Sequence, residues 1–177
     1  VFYSPLERAR ESQELITHAC IMGHVQTDVV QEDPLLCEQD FGALRAMSRH
    51  ELMATSPEYA AYRKLTGRAS KYYVAPPSGE SGVATERAAV VFLQELREML
   101  TQAALRHQTP AAILLVGHSV SNRLLAKRVL GQTVAWYMAQ PSPPHGGVWL
   151  LEKGFNQGLI YTPRQHRSYT TGTGHDA

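Results

Sequence analysis

The clearest pattern in this chain is a continuous apolar run that changes abruptly to helical periodicity. The run is Ile-Leu-Leu-Val at residues 113–116, and the polar stretch Gly-His-Ser follows it. An apolar run without alternation is typical of a strand buried on both faces, whereas apolar residues three or four apart indicate a helix. The positions at that helical spacing are Leu124, Leu125, Val129 and Leu130. The segment therefore predicts a buried strand, a turn, and a helix that begins near Ser121.

Two longer helices are predicted elsewhere. One extends over residues 5–22, where Ser4 is the expected cap, Pro5 suits the first turn and Gly23 ends the helix. The longest helix is predicted over residues 85–106 because apolar residues recur there on one face. These apolar positions are Ala88, Val91, Phe92, Leu96, Met99 and Ala103.

Short strands and a broken middle segment complete the pattern. Strands are predicted over residues 25–30 at a sheet edge, and over 148–152 and 158–162 as an edge hairpin. Residues 48–73 predict two short helical pieces, interrupted by Ser56-Pro57 and by Gly67. Strands that alternate with helices through short connections indicate an α/β fold. We expect a three-layer sandwich with a mostly parallel central sheet and helices on both faces.

Composition limits the class of protein. With 177 residues and 44% hydrophobic content, the chain is long enough for one domain with a sizeable core. The formal net charge of +1 gives no reason to expect nucleic acid or a membrane surface as a partner. No apolar stretch approaches the roughly 18 residues of a membrane span. Because Cys20 and Cys37 are too few for a disulfide framework, an intracellular, cytoplasmic location is the default expectation.

The turn after the apolar run is the best candidate for chemistry. Side chains at such a junction lie at the carboxyl end of a strand, where open α/β sheets bind ligands, and beside helix N–H groups that favour anions. His118 is therefore a candidate for chemistry on an anionic group. In an alternative interpretation, Gly-His-Ser-Val-Ser approaches the G-x-S-x-G pattern of α/β-hydrolases, with Ser119 as nucleophile. That pattern fails at its last glycine, which is replaced by Ser121.

Three further segments contain charged residues that are candidates for a functional site. Ser-Pro-Leu-Glu-Arg-Ala, near the N-terminus, places Arg8 in the first turns of a helix, and a guanidinium group matches phosphate bidentately. Leu-Cys-Glu-Gln-Asp-Phe-Gly contains Glu38. Pro-Pro-Ser-Gly-Glu-Ser ends in Glu80 and Ser81 just before the longest helix, and we expect Glu80 to anchor this loop.

Taken in order, the motifs SPLxRA, LxExxFG, PxGES and VxHxxxxR resemble those of the histidine phosphatase superfamily, also called the phosphoglycerate-mutase-like family. The resemblance covers about residues 2–130, and the fragment KYYVAPPSGES is more similar to phosphatase members than to the glycolytic mutases. It implies one domain over residues 1–165, with an insertion at about 48–76 that covers the substrate. Residues 166–177, rich in Ser, Thr and Gly, are expected to be a flexible tail.

The resemblance also implies an activity. The expected reaction is hydrolysis of a small phosphorylated metabolite through a phosphohistidine intermediate, with no metal and no other cofactor. Arg8 would bind the phosphate, while His118 and Glu38 would be catalytic, as a phosphate contact and as the proton donor. Ser119 stands where the family commonly has glycine. Its hydroxymethyl group would either crowd the phosphate or donate a further hydrogen bond, and it is included as a substrate-binding candidate.

One family motif is absent from the sequence. Family members open with a central strand that ends in Arg-His-Gly, whose histidine becomes phosphorylated, and no Arg-His-Gly occurs in the 177 residues. Without that strand, unpaired backbone groups in the core would each cost about 1 to 3 kcal/mol. We therefore expect a preceding segment, or a separate N-terminal chain, to supply it. The alternative is a pseudoenzyme that serves as an interaction or scaffold subunit. The expected partners are phosphate or a small phosphorylated substrate, this N-terminal chain, and a second copy in a homodimer.

Overall fold

The structure, a computed structural model, describes residues 1–108, 112–142, 149–152 and 160–163. It contains two compact units, Val1–Gln140 and Pro141–Ala177. The expected tail at 166–177 lies outside the described residues. The single domain predicted over residues 1–165 stays a prediction.

The unit Val1–Gln140 combines a small parallel sheet with several helices. Its strands are β1 (Phe2–Tyr3), β2 (Gln31–Glu32) and β3 (Leu115–Val116). Its α-helices are α1 (Glu7–Met22), α2 (Arg49–Thr55), α3 (Pro57–Thr66), α4 (Ser70–Tyr73), α5 (Gly82–Leu105), α6 (Ser119–Val129) and α7 (Val134–Ala139). Short 3-10 turns occupy Pro34–Leu36, Gly42–Arg45 and Gly67–Ala69. The α/β class is confirmed, while the finer arrangement in three layers stays a prediction.

The three strands are parallel in the order β2-β1-β3. Phe2 is opposite Gln31 on one side and Leu115 on the other, so β1 is the middle strand of this sheet. The buried strand predicted over 113–116 is observed as Leu115–Val116. Because β1 and β3 are parallel and end together, the residues after Tyr3 and after Val116 leave the sheet at the same edge.

The strand predicted over residues 25–30 is wrong, since β2 begins only at Gln31. Residues 23–25 instead complete the end of α1, where Gly23 N donates to Ala19 O at 2.9 Å and Val25 N donates to Cys20 O at 2.8 Å. Val25 is 58% exposed. The apolar side chain of Val25 favours a strand in the sequence pattern, but its backbone N–H instead caps the C-terminus of α1.

The core lies where the sheet meets α5 and α6. Its buried residues are Phe2, Leu36, Ala89, Phe92 and Leu125. The rings of Phe2 and Phe92 meet edge to face with centroids 5.7 Å apart, which joins the first strand to the longest helix. The apolar face predicted for this helix is partly wrong, because Val91 and Met99 are exposed. The buried face instead includes polar Thr85 and Glu86.

A buried polar cluster links α4, α5 and α6. The Glu86 carboxylate accepts from Lys127 Nζ at 2.6 and 2.8 Å, from Arg128 Nε at 2.6 Å and from the Tyr72 hydroxyl. Glu86 and Lys127 side chains are only 4% and 7% exposed. Burial and the neighbouring Glu86 carboxylate raise the pKa of Tyr72, so its hydroxyl stays protonated and donates. We call these four residues the Glu86 cluster.

The middle segment has the predicted interruptions. Helix α2 ends before Ser56, α3 begins at Pro57, and α3 ends at Gly67. Ser48 caps α2 by accepting from Glu51 N at 3.2 Å, and Glu51 accepts from Ser48 N at 2.7 Å. These hydrogen bonds from Ser48 lower the pKa of Glu51.

The unit Pro141–Ala177 contains the predicted pair of strands. Strand β4 (Trp149–Glu152) pairs antiparallel with β5 (Ile160–Pro163), so that Trp149 is opposite Pro163. The pairing of the predicted hairpin is confirmed. Among the described residues of the chain, no helix is long and apolar enough to cross a bilayer.

Candidate active site

The predicted site residues lie at the carboxyl ends of the parallel strands. His118 follows β3 and is the N-cap residue of α6, which begins at Ser119 rather than near Ser121. Arg8 lies in the first turn of α1, which follows β1. Glu38 follows the 3-10 turn after β2. The structure brings Arg8, Glu38 and His118 together at the edge where open α/β sheets bind ligands.

The His118 ring bonds through both of its nitrogen atoms. Arg8 Nε donates to His118 Nδ1 at 3.1 Å, and His118 Nε2 lies 2.8 Å from Ser4 Oγ. An arginine side chain can only donate, so Nδ1 is the acceptor and the proton of the neutral ring is on Nε2. His118 therefore donates to Ser4. Ser4 is fully buried and His118 is buried, whereas Arg8 is exposed.

Two effects favour the neutral form of His118. Burial lowers the pKa of this ring below 6.5, and the positive charge of Arg8 lowers it further. The negative charge of Glu38 acts in the opposite direction, but its effect is the smallest of the three. The ring is therefore uncharged near neutral pH, which agrees with Nδ1 accepting a hydrogen bond from a cation.

The cap predicted for α1 is wrong. Leu6, not Ser4, is the N-cap residue, and no side chain caps this helix. The Ser4 hydroxyl instead bonds to His118, accepts from Leu6 N at 3.3 Å and points to Cys37 Sγ at 4.0 Å. The Ser4 hydroxyl, which local sequence predicts as the N-cap of α1, instead binds the His118 ring from a distant part of the chain.

Glu38 occupies the N-terminus of α6. Its Oε1 accepts from Val120 N at 3.1 Å and from Ser121 N at 3.3 Å, and its Oε2 accepts from Val120 N at 3.3 Å. Helix N-termini attract anions because their first N–H groups have no partner within the helix. In this structure the anion at that position is the half-buried Glu38 carboxylate.

Two loops pack tightly against each other beside Glu38. We call residues 38–42 the acidic loop and residues 76–81 the proline-glycine loop. Glu80 N donates to Asp40 O at 2.7 Å, and Glu80 Oε2 accepts from Asp40 N at 3.2 Å. Gly42 has φ +46°, and a β-carbon there would overlap the backbone of Pro77 and lie 2.5 Å from Gly79 N. The expectation that Glu80 anchors its loop is therefore confirmed, and glycine allows the close approach.

A cavity of about 560 Å³ opens between these loops and α1. Arg8 and Glu38 line it, together with charged Asp40, Arg45 and Glu80 and apolar residues such as Phe41. This volume is in the range of small-molecule binding sites. The cavity is thus placed beside the groups that contact His118.

Ser119 and Gly117 flank the histidine. Ser119 is half-buried, is the first residue of α6, and its carbonyl oxygen accepts from Arg123 Nε at 3.1 Å. Its role in substrate binding stays a prediction. A β-carbon on Gly117 would lie 2.5 Å from Asn122 Oδ1, so a side chain at this turn requires that the Asn122 side chain move.

Ser4 and Cys37 are the site neighbours that sequence reasoning missed. Cys37 lies next to Glu38 and lines the cavity, and Ser4 is the first residue of the SPLxRA motif. Both residues belong to sequence motifs, Ser4 to SPLxRA and Cys37 to LxExxFG, but a motif does not reveal which side chains are in contact. The contact between Ser4 and His118 joins residues 114 positions apart.

The comparisons with known proteins agree with this geometry. Residues 1–151 match the histidine phosphatase superfamily, branch 1, and the chain belongs to that family. No match was found among curated proteins.

Solved structures share the fold at low sequence identity. The native mycobacterial glucosyl-3-phosphoglycerate phosphatase has a TM-score of 0.61 at 20% identity, with 92% of this chain and 74% of that chain covered. The α-ribazole phosphatase of Shigella flexneri has a TM-score of 0.53 at 21% identity, with 77% and 58% covered. At these identities the structural similarity shows that the fold is shared, and it does not show that the substrates are.

Proposed function

We propose that this domain hydrolyses a phosphomonoester of a small metabolite through a phosphohistidine intermediate, without a metal ion. The observation that carries the proposal is the joining of Arg8, His118 and Glu38 at one end of the sheet, with Arg8 Nε 3.1 Å from His118 Nδ1. Family membership supports it. Two solved mycobacterial phosphatase structures with the same fold are complexes with inorganic phosphate and with VO3, which supports an oxyanion as the ligand.

The proposed chemistry assigns one task to each group. A histidine nitrogen attacks phosphorus, the bond between phosphorus and the ester oxygen breaks, and the leaving oxygen receives a proton from the protonated form of Glu38, which becomes the carboxylate. Arg8 donates to the equatorial oxygens, and His118, once a proton lies on Nδ1, donates a second hydrogen bond as negative charge develops. Water then attacks phosphorus of the phosphohistidine while the Glu38 carboxylate takes a proton from it, which releases phosphate and restores both the histidine and the Glu38 acid.

The attacking histidine is proposed to come from an Arg-His-Gly segment, which the 177 residues do not contain. Support comes from the sheet, because within the described residues of Val1–Gln140 strand β3 pairs on one side only, with β1. Val116 of β3 is nevertheless buried. A further strand beside β3 would place the end of its Arg-His-Gly next to His118, since neighbouring parallel strands end at the same edge.

The test compares two proteins with p-nitrophenyl phosphate. We expect no turnover by the 177 residues alone, and metal-independent turnover that survives EDTA by a longer gene product that contains Arg-His-Gly. In that longer protein, His118→Ala should lower the rate by about 100-fold or more, as the loss of a transition-state donor does. The matched control is His18→Ala, because His18 is exposed on α1 and should leave the rate unchanged.

Two outcomes would contradict the proposal. Turnover by the 177 residues alone would mean that another residue is the nucleophile, with Ser119 the first to test. An inactive longer protein with an intact Arg-His-Gly would favour the non-catalytic alternative, an interaction or scaffold subunit. A homodimer, a separate N-terminal chain and a cytoplasmic location stay predictions.

A further inference from the structure

We propose that Ser4 is a positioning residue, which holds the His118 ring through Nε2 so that Nδ1 is the nitrogen that faces Arg8 and an incoming oxyanion. Ser4 follows β1, and its hydroxyl is fully buried at 2.8 Å from His118 Nε2. The statement about the oxyanion rests on the proposed function. The statement about the ring orientation rests on the hydrogen bonds alone.

The hydrogen bonds around the ring have only one consistent direction. Arg8 Nε donates to Nδ1, so the ring proton is on Nε2 and is donated to Ser4 Oγ. Ser4 Oγ also accepts from Leu6 N at 3.3 Å, and its own proton is directed to Cys37 Sγ at 4.0 Å. Each donor in this series meets an acceptor.

The orientation of the ring would be poorly determined without Ser4. Arg8 is exposed and has a long, flexible side chain, whereas Ser4 has no exposed surface. A buried Nε2–H without an acceptor would cost about 1 to 3 kcal/mol, so the ring would rotate to find another partner. The charged and titratable groups on the neighbouring elements are Arg8 of α1, Glu38 after β2 and Cys37, which Ser4 contacts. None of these replaces the buried hydroxyl as an acceptor at Nε2.

Positioning has a consequence for anion binding. In the ring as held, Nδ1 has a lone pair, which cannot bind the lone pairs of a phosphate oxygen. An oxyanion can displace Arg8 from Nδ1 only when a proton lies between Nδ1 and the oxygen. That proton comes from the monoanion of phosphate or from solvent, while Nε2 keeps its bond to Ser4.

The experiment is nitrogen NMR of the His118 ring in the 177-residue chain. In the unchanged chain we expect a pyridine-like Nδ1 shift, a pyrrole-like Nε2 shift and a visible, slowly exchanging Nε2–H proton. In Ser4→Ala the proton signal should disappear and the two nitrogen shifts should move towards each other. Ser4→Thr, which keeps the hydroxyl, should restore both features.

The matched control is Ser121→Ala. Ser121 is also buried, but its hydroxyl contacts the backbone N of His118 at 3.3 Å and not the ring. We expect this variant to keep the wild-type ring signals. Equal loss of the ring signals in Ser4→Ala and Ser121→Ala would overturn the proposal, and so would a pyrrole-like Nδ1 in the unchanged chain, which needs no variant to fold.

Inorganic phosphate separates this proposal from the proposed function. On titration with phosphate we expect the Nδ1 shift to move more than the Nε2 shift, and the affinity to fall by about 2- to 12-fold in Ser4→Ala, the equivalent of one hydrogen bond. A larger movement at Nε2 would overturn the proposal. If phosphate moves neither nitrogen while the Ser4 dependence holds, the phosphate site is wrong and the positioning role of Ser4 stands.

Discussion

Helix α6 has a buried polar cluster at each end, and the two clusters differ in how they are closed. At its last turn, Lys127 pairs with Glu86, and both side chains are almost without exposed surface. At its N-terminus, His118 is buried but is held by Arg8, which is exposed and lines a cavity. The first cluster joins three helices, and its Glu86–Lys127 pair is closed to solvent although the Arg128 side chain is 51% exposed. The second has one partner that can move.

The difference separates a structural role from a ligand-binding one. In the Glu86 cluster the buried carboxylate is paired with two cations, and neither Lys127 nor Arg128 lines the cavity. The neutral His118 ring accepts a hydrogen bond at Nδ1 from Arg8, and the exposed Arg8 side chain can turn from the ring to an anion in the cavity that it lines. Buried polar residues alone therefore do not indicate a site. An exchangeable partner beside a cavity does.

The largest expected effect is on stability, at the Glu86 cluster. Glu86→Ala leaves Lys127 buried without its partner, so the free energy of unfolding should fall by about 3 to 5 kcal/mol in urea denaturation. The matched control is Glu32→Ala, which removes the Arg10–Glu32 pair, whose side chains are 53% and 37% exposed. That loss should not exceed about 1 kcal/mol. Equal losses would show that the Glu86 cluster is not tightly closed.

The next effect is expected where the acidic loop meets the proline-glycine loop. Gly42→Ala combines a φ of +46° with overlap at Pro77, so we expect a loss of about 2 to 4 kcal/mol in thermal unfolding. Gly131→Ala is the control, since Gly131 has φ +62° but a β-carbon added there would meet no other atom within 4 Å. It should cost only about 1 kcal/mol. A harmless Gly42→Ala would mean that the two loops separate readily.

The smallest effect concerns the titration of His118. Its pKa should lie below 6.5 by NMR, because burial and the charge of Arg8 both lower it. In Arg8→Ala the pKa of His118 should rise, since one of the two causes is removed. A His118 that titrates at 6.5 or above would contradict the buried, neutral ring.

The same shift has a defined sign for stability. Between the folded pKa and the unfolded pKa of His118, the unfolded chain binds more protons at this residue than the folded chain. The free energy of unfolding therefore rises with pH in that range. The contribution is fully present above the unfolded value of 6.5 and is lost as pH falls through the folded pKa. His118→Gln should remove this part of the pH dependence in denaturant unfolding.

The sequence predicts those features that depend on local pattern. The strand and helix around His118 follow from an apolar run and a 3.6-residue period, and α5 is observed close to its predicted range. The position of β2 and the buried face of α5 were predicted wrongly. The strand prediction failed because Val25 takes part in the C-terminal cap of α1. The buried face of α5 was predicted wrongly because an ion pair with Lys127 allows charged Glu86 to be buried.

The candidate site divides in the same way. Arg8, Glu38 and His118 were found because each belongs to a motif of chemically suitable residues. The Ser4 contact, the carboxylate of Glu38 on the N-terminus of α6, and the close approach of Gly42 to Gly79 were not found. Each depends on two segments that meet only in the folded chain, and local propensity contains no information about them.

The contact between Ser4 and His118 also has a consequence for the order of events during synthesis. The two residues are 114 positions apart, and a ribosome adds about 5 to 20 residues per second. Strand β1 therefore leaves the ribosome on the order of 10 seconds before its neighbour β3 is made. During that interval β2 is the one partner of β1 within the described sheet that is already made, and Phe2 lacks Leu125 from its final core. The nascent chain thus has a period in which an apolar middle strand is open on one side, which is when a chaperone would be expected to bind it.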